Sequence, residues 1–269
     1  MNNSSNFVWV GSQKDFVDQP SIHQLNHIII GRYGGNSSSG QYKNEDGCLI
    51  WFDEKEDWEF TIILDAHNTA ESAEIILEKF NSEKSHISYL LSLPTCQQNF
   101  RSLEDSILRI FQSREFLEAC RDAKGETACL IVVRKDNYVW WFSVGDCILY
   151  LFHPELAALG QYQLNQRQFY EWIGQVNTFE QKVPCYSVGI RELRKGENRI
   201  FLTTDGLIEC PNEPYLNPSN IYNSFFHSND AESIQNMLKT IQENGVKDST
   251  TIIFWKVDNS SEAAKPSNQ

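Results

Sequence analysis

The sequence predicts an α+β domain of four layers, αββα, in which two β-sheets lie face to face between outer layers of helices. Three observations lead there. Short runs rich in Ile, Val, Phe and Trp, of strand length, recur along the chain. Some are apolar on both faces: Phe60, Ile62 and Leu64 fall on one side of their run and Thr61, Ile63 and Asp65 on the other, and Tyr138–Asp146 behaves alike. Such strands are covered on both sides. Between the strand groups stand segments of helical period, so one cover is a second sheet and the other is helical.

In order, a first strand is expected around His27–Arg32, then a loop at the Gly- and Ser-rich stretch Gly34–Gly40. That loop lacks the GK[ST] ending of a phosphate-binding P-loop. Strands Cys48–Phe52 and Phe60–Leu64 flank the acidic turn DEKEDWE. A helix starts at Thr69-Ala70-Glu71 and runs through Phe80. Phe100, Leu103, Ile107, Ile110 and Phe111 mark a further helix, and Pro94 separates two helices in this stretch. These stripes read as core-facing sides of outer helices rather than a cofactor box. Thr127–Val133 and Tyr138–Val144 form a hairpin about Lys135-Asp136-Asn137, and Cys147–Phe152 is the next strand. Pro154 to about Val183 is polar and Gln-rich, an excursion from the sheet. Asn198–Thr204 is a strand. Ile234, Met237, Leu238 and Ile241 mark a helix ended near Asn244-Gly245, and Thr250–Val257 is the last strand. No repeat and no long linker occur, so residues 1–258 are expected as one domain and 259–269 as a disordered tail.

The 269 residues can bury a full core. A hydrophobic fraction of 41% with 12% aromatic residues is that of a soluble globular protein. No apolar run approaches the ~20 residues that span a bilayer, and the N-terminus lacks the pattern of a signal peptide, so a cytoplasmic protein is expected. A formal charge of −13 argues against nucleic-acid and anionic-membrane partners. The 7 cysteines are odd in number and form no CxxC pair, which speaks against a disulfide framework or zinc knuckle and for buried free thiols.

The chemistry is carried by acids. Five apolar runs begin or end in one: KNEDGCLIWF at Glu45 and Asp46, EFTIILDAH at Asp65, VWWFSVGD at Asp146, RIFLTTDG at Asp205 and KDSTTIIFW at Asp248. One such Asp is ordinary turn chemistry. Five suggest that the strand tips converge. Two carboxylates ~4 Å apart repel by ~4 kcal/mol at an effective dielectric near 20, so a cluster of them needs cations. Hard divalent ions such as Mg²⁺ and Mn²⁺ suit oxygen ligands. Two of them ~3.5–4 Å apart favour hydrolysis of a phosphate ester by activated water, without a protein nucleophile. His67, two residues after Asp65 and placed beyond the end of its strand, is the best-positioned general acid; a surface loop histidine fits the same position. The chain has no HExxH, GxSxG or EF-hand pattern, and no GxGxxG after a strand.

Taken in order, these segments resemble the metal-dependent protein serine/threonine phosphatases of type 2C. Asn44-Glu45-Asp46 resembles the first acidic motif of that family, and Asp65-Ala66-His67-Asn68 stands where it has Asp-Gly-His-Gly. Gly125-Glu126-Thr127-Ala128 resembles its Gly-Ser/Thr-Thr-Ala turn and Gly145-Asp146-Cys147 its Gly-Asp-Ser segment. Thr204-Asp205-Gly206-Leu207 resembles the late Asp-Gly motif, and Asp248-Ser249-Thr250-Thr251 stands where Asp-Asn-x-Ser/Thr is usual. The set runs from Gln41 to the last strand. The resemblance implies two mainly antiparallel sheets with helices outside and a binuclear Mn²⁺/Mg²⁺ centre at one end. It implies that Asp65 bridges the ions, that Glu45 and the Ala66 carbonyl serve one and Asp205 and Asp248 the other. Asp46 acts through bound water, and Asp146 matches the residue that supports a third, weaker ion in some members. His67 matches the general acid, and the substrate is phosphoserine or phosphothreonine in a protein.

The chain departs from that pattern. Many members carry an arginine for substrate phosphate five residues before the first motif's Asp, where this chain has Gln41, which lacks the charged fork. Lys43 and Arg32 are the candidate substitutes. Ala66 and Asn68 replace glycines, and Ser249 replaces Asn. An alternative to an active phosphatase is therefore a catalytically weak or inactive module that binds a phosphoprotein partner. A third is an acidic protein without any centre. Oligomeric state is not readable from the sequence.

Overall fold

The computed structural model of the chain describes residues 4–265 and 267. In chain order its strands are β1 (Ser4–Val10), β2 (Ser21–Leu25), β3 (Ile28–Tyr33), β4 (Gly47–Asp53), β5 (Trp58–His67), β6 (Glu126–Lys135), β7 (Tyr138–Val144), β8 (Ile148–Phe152), β9 (Ile173–Gly174), β10 (Ser187–Glu192), β11 (Gly196–Thr203) and β12 (Thr250–Asn259). The helices are α1 (Glu71–Ser82), α2 (Lys84–Ser92), α3 (Gln97–Phe111), α4 (Arg114–Asp122), α5 (Pro154–Ala157), α6 (Pro218–Ser224) and α7 (Asp230–Glu243). One sheet has the order β1-β4-β5-β6-β7-β10, with β9 pairing to the end of β6 that β7 leaves free; the other is β2-β3-β12-β11-β8. The strand pairs are antiparallel throughout both sheets.

Strand alternation sorts the side chains into layers. From β5, Phe60, Ile62 and Leu64 join α1–α4 in one core, while Ile63 joins the core between the sheets. From β6, Ile131 and Val133 face the helices, and Leu130 and Val132 face the second sheet. On the other sheet, Ile253 and Trp255 of β12 point inward; Ile252 and Phe254 pack under α6 and α7. Two antiparallel sheets between helix layers is the architecture expected from the both-face apolar strands.

The helices meet the sheets through the predicted stripes. α1 buries Ala73, Ile76, Leu77 and Phe80, and α3 buries Leu103, Ile107, Ile110 and Phe111. α7 buries Ile234, Met237, Leu238 and Ile241. Each large aliphatic or aromatic side chain so buried contributes about 1.5–3 kcal/mol. α2 ends at Ser92 and α3 starts at Gln97, so Pro94 stands between them. The β6–β7 hairpin turns through Asp136 and Asn137, with Asp136 at φ 50°.

Several elements were not anticipated. β1, β2 and β10 lie at sheet edges, and α6 sits between β11 and α7. The excursion from Pro154 holds only α5, β9 and a single helical turn at Thr178–Glu180. The segment expected as a tail begins inside β12, whose last residue is Asn259. After it, Ala263 is buried, and the Arg194 guanidinium donates to the Ala264 carbonyl at 3.0 Å. Residues 266, 268 and 269 of that segment lie outside the described residues.

Candidate metal centre

Antiparallel pairing brings the acidic strand ends to one edge of the sandwich. Gly47 of β4 pairs with Leu64 of β5, so Asp46 and Asp65 extend from the same end of that sheet. Thr203 of β11 pairs with Ile252 of β12, which places Thr204-Asp205 beside Asp248 to Thr251. The link from β7 to β8 crosses between the sheets and carries Gly145-Asp146. The sharp crossing depends on Gly145: its φ is 86°, and a Cβ there would come within 2.5 Å of the Ala128 methyl. Gly206 holds a second tight approach, since its Cβ would lie 2.1 Å from the Ser249 carbonyl oxygen. That contact locks the turn after Asp205 onto the turn after Asp248.

The result is a cluster drawn from distant parts of the chain. Asp65, Asp146 and Asp205 each offer a carboxylate oxygen, all three within 4.8 Å of one another, and all three residues are buried. Asp65 Oδ2, Asp146 Oδ1 and Asp205 Oδ1 have no hydrogen-bond partner. Asp46, 1% exposed, accepts hydrogen bonds at Oδ2 from Thr251 Oγ1 at 2.7 Å and Thr204 Oγ1 at 3.2 Å. Asp248 stands at the exposed rim, close enough for its charge to act on Asp46, Asp65 and Asp205.

Burial, with repulsion from the neighbouring acids behind it, pushes the Asp46 and Asp65 carboxyls well above the usual carboxylate range and raises Asp205 to about 7. Buried carboxylate oxygens without partners are costly. A hard divalent cation removes both the repulsion and the vacancy in their bonding, so the donor set fits Mg²⁺ or Mn²⁺.

A pH dependence follows. Asp205 holds a proton up to about pH 7 in the fold but only to about 3.8 when free. Its contribution to metal-free stability is therefore complete below about pH 4 and is lost as the pH rises through 7. In chelator, the Tm of the native chain should fall relative to Asp205→Asn between pH 5 and 8, and saturating Mn²⁺ should cancel the fall. A constant difference between the two would contradict it.

The remaining expected residues are placed as follows. Glu45 is 8% exposed and pairs with the Lys43 ammonium, which also donates to the Asn68 carbonyl at 2.6 Å. Lys43 is thus engaged beside the cluster. Gln41 is half-exposed and packs against Gly35. Arg32, considered as a substitute for the missing arginine, is 7% exposed, with its guanidinium 4.4 to 5.6 Å from the ring centres of Phe7, Trp9 and Phe16. Ala66 lies in β5 with its methyl in the helix-side core. Asn68 takes φ 73°, a left-handed conformation that Asn tolerates. The strand position expected of His67 is corrected. The histidine is not beyond the strand but is its last residue, paired with Glu126, because β6 extends far enough to hold it. Its exposed ring meets Trp172 edge-on, 5.0 Å between centres.

Sequence reasoning missed two members. Arg167 reaches Asp146, Asp205 and Glu209. Glu209 follows Asp205 by one turn, its backbone N–H donating to the Asp205 carbonyl at 2.9 Å. One signal existed: Arg167 is the single Lys or Arg between Pro154 and Gln181.

No protein-family model and no curated protein sequence matches the chain. Solved structures do. A bacterial serine phosphatase superposes with a TM-score of 0.61 at 13% identity, covering 97% of this chain and 100% of its own. The chain has the fold of the bacterial serine/threonine phosphatases. Stp1 from Staphylococcus aureus gives 0.60 at 13% identity, covering 96% of each chain. RsbX, solved in complex with magnesium, gives 0.53 at 17%, covering 89% of this chain and 100% of its own. At these identities the likeness concerns architecture, and it agrees with the type 2C phosphatase fold implied by the ordered motifs. Among the described residues no helix is long and apolar enough to cross a membrane.

Proposed function

We propose that the protein is a metal-dependent phosphoprotein phosphatase that hydrolyses phosphoserine or phosphothreonine, working as a single domain in the cytoplasm. One observation carries the reading. Three buried carboxylates from separate segments meet within 4.8 Å, each with an oxygen that lacks a partner. Mn²⁺ or Mg²⁺ would be held by Asp65, Asp205, Asp248, Glu45 and the Ala66 carbonyl, with Asp46 acting through water. When bound, two such ions supply positive charge at a phosphoryl group and an activated water.

The chain's own groups do the rest. Thr204 and Thr251 fix the Asp46 carboxylate, so one wall of the site is rigid before any ion arrives. Trp172 restricts the His67 ring at the mouth. His67 gives a proton from a ring nitrogen to the leaving seryl or threonyl oxygen. An alkoxide needs that proton and an aryl oxide does not. His67→Gln is therefore expected to lower kcat on a phosphoserine peptide by about 10²-fold and to leave an activated aryl phosphate nearly unaffected. Equal losses on both substrates would remove His67 from the acid role.

The test of function is hydrolysis of both substrates with Mn²⁺ and its loss in EDTA. Metal-independent hydrolysis would contradict the reading. A second reading, a phosphoprotein-binding module with little catalysis, is favoured by the neutral Gln41 and the engagement of Lys43 by Glu45 and Asn68. Metal binding without turnover of any phosphopeptide would select it.

A further inference from the structure

We propose that Arg167 is a built-in counter-ion that fills the Asp146 side of the cluster, so that the centre takes two divalent ions and excludes a third. The inference rests on the phosphatase reading above and concerns how many ions its site admits. Arg167 Nη2 lies 3.2 Å from Asp146 Oδ2, 3.5 Å from Asp205 Oδ2 and 2.5 Å from Glu209 Oε1. One guanidinium nitrogen thus stands in the space that an ion shared by these three acids would need. Mg²⁺ sits about 2.0–2.1 Å from its oxygens, so ion and guanidinium cannot occupy that space together, and their like charges oppose it as well.

The arginine is held there by its backbone, not by the acids alone. The segment that carries it is laced to the turn bearing Asp146. Gln168 N–H donates to the Gly145 carbonyl at 2.9 Å, and Leu164 N–H to the Leu149 carbonyl at 2.9 Å. Asn165 Oδ1 accepts from Leu149 N–H at 2.8 Å, and its amide donates to the Cys147 carbonyl at 2.8 Å. The Phe169 ring covers the guanidinium at 4.8 Å. Asp146 is 5% and Asp205 7% exposed, and each keeps a second oxygen, Oδ1, without a partner. Without Arg167, Asp146, Asp205 and Glu209 would form an open acidic recess able to hold an ion. With it, Asp146 is neutralised by the chain itself, and Asp205 keeps Oδ1 for the pair of ions next to Asp65.

Mn²⁺ stoichiometry, measured by calorimetry and by electron paramagnetic resonance of free ion, tests this on the full chain. The native protein should bind two ions, Arg167→Ala three, and Arg167→Ala with Asp146→Asn two again. Arg167→Met, which keeps the packing on Phe169 and lacks the charge, should also bind three and stands in should the alanine variant fail to fold by circular dichroism. Three ions in the native protein would overturn the proposal and leave the phosphatase reading intact, as would two in every folded variant. No bound ion in the native protein would remove the phosphatase reading and this proposal with it.

Discussion

Asp65→Asn is expected to abolish the proposed phosphatase activity while making the metal-free protein more stable. Asp65 is 3% exposed, its Oδ2 has no partner, and burial together with the charges of Asp205, Asp46, Asp248 and Asp146 holds its carboxyl well above the ordinary range. A group in that setting contributes nothing to folding once ionised. Asn has the same shape and no charge, so in chelator the repulsion goes and the Tm should rise. With Mn²⁺ the same change removes one of the carboxylates that would hold the metal. Charge stabilisation by bound metal is worth several kcal/mol, and each 1.36 kcal/mol is tenfold in rate, so a loss of about 10³-fold or more is expected. A melting series with and without Mn²⁺, run beside the phosphopeptide assay, separates this from unfolding. Loss of activity with a lowered metal-free Tm would mean that Asp65 is structural.

Phe111→Ala should cost about 3–5 kcal/mol of stability, read by denaturant or thermal unfolding. Phe111 closes α3 and is fully buried. It lies 5.0 Å from Phe179, 5.4 Å from Phe80, 5.5 Å from Phe116 and 5.7 Å from Phe142, ring centre to ring centre. These partners come from α1, α4, β7 and the single turn at Thr178–Glu180, so one truncation opens a void where four segments meet. The last of these belongs to the same excursion that carries Arg167 and Trp172. Loosening the helix core should therefore also disturb the mouth of the site, with Mn²⁺ affinity weakening beyond what the stability loss predicts. A cost under 1 kcal/mol would contradict this view of the core.

The central strands were legible because burial on both faces leaves a dense apolar signature, as in Thr127–Val133 and Thr250–Val257. The amphipathic helices were legible because one face meets a sheet and the other meets water. The edge strands were not. β2 is half-exposed with His23 and Gln24 inside it, and β10 carries Gly189 in a half-exposed run. An edge strand needs neither continuous apolarity nor strict alternation, and its pairing partner is remote in sequence. At the site, the acids were readable because each begins or ends an apolar run of the sequence, a pattern that burial alone does not favour. His67 was placed outside its strand because a polar residue looks like a boundary, whereas pairing with Glu126 on β6 extends β5 to include it. Arg167 was missed for a different reason. Its segment has no period, and what places it is hydrogen bonding to the turn at Gly145–Leu149, a long-range contact whose one local trace is that Arg167 is the single Lys or Arg between Pro154 and Gln181.

The most direct test is a crystal grown or soaked with Mn²⁺ and measured at the manganese absorption edge. Two anomalous peaks are expected between Asp65, Asp205 and Asp248, with the Arg167 guanidinium still on Asp146. Peaks elsewhere on the molecule, or none at saturating Mn²⁺, would contradict that placement.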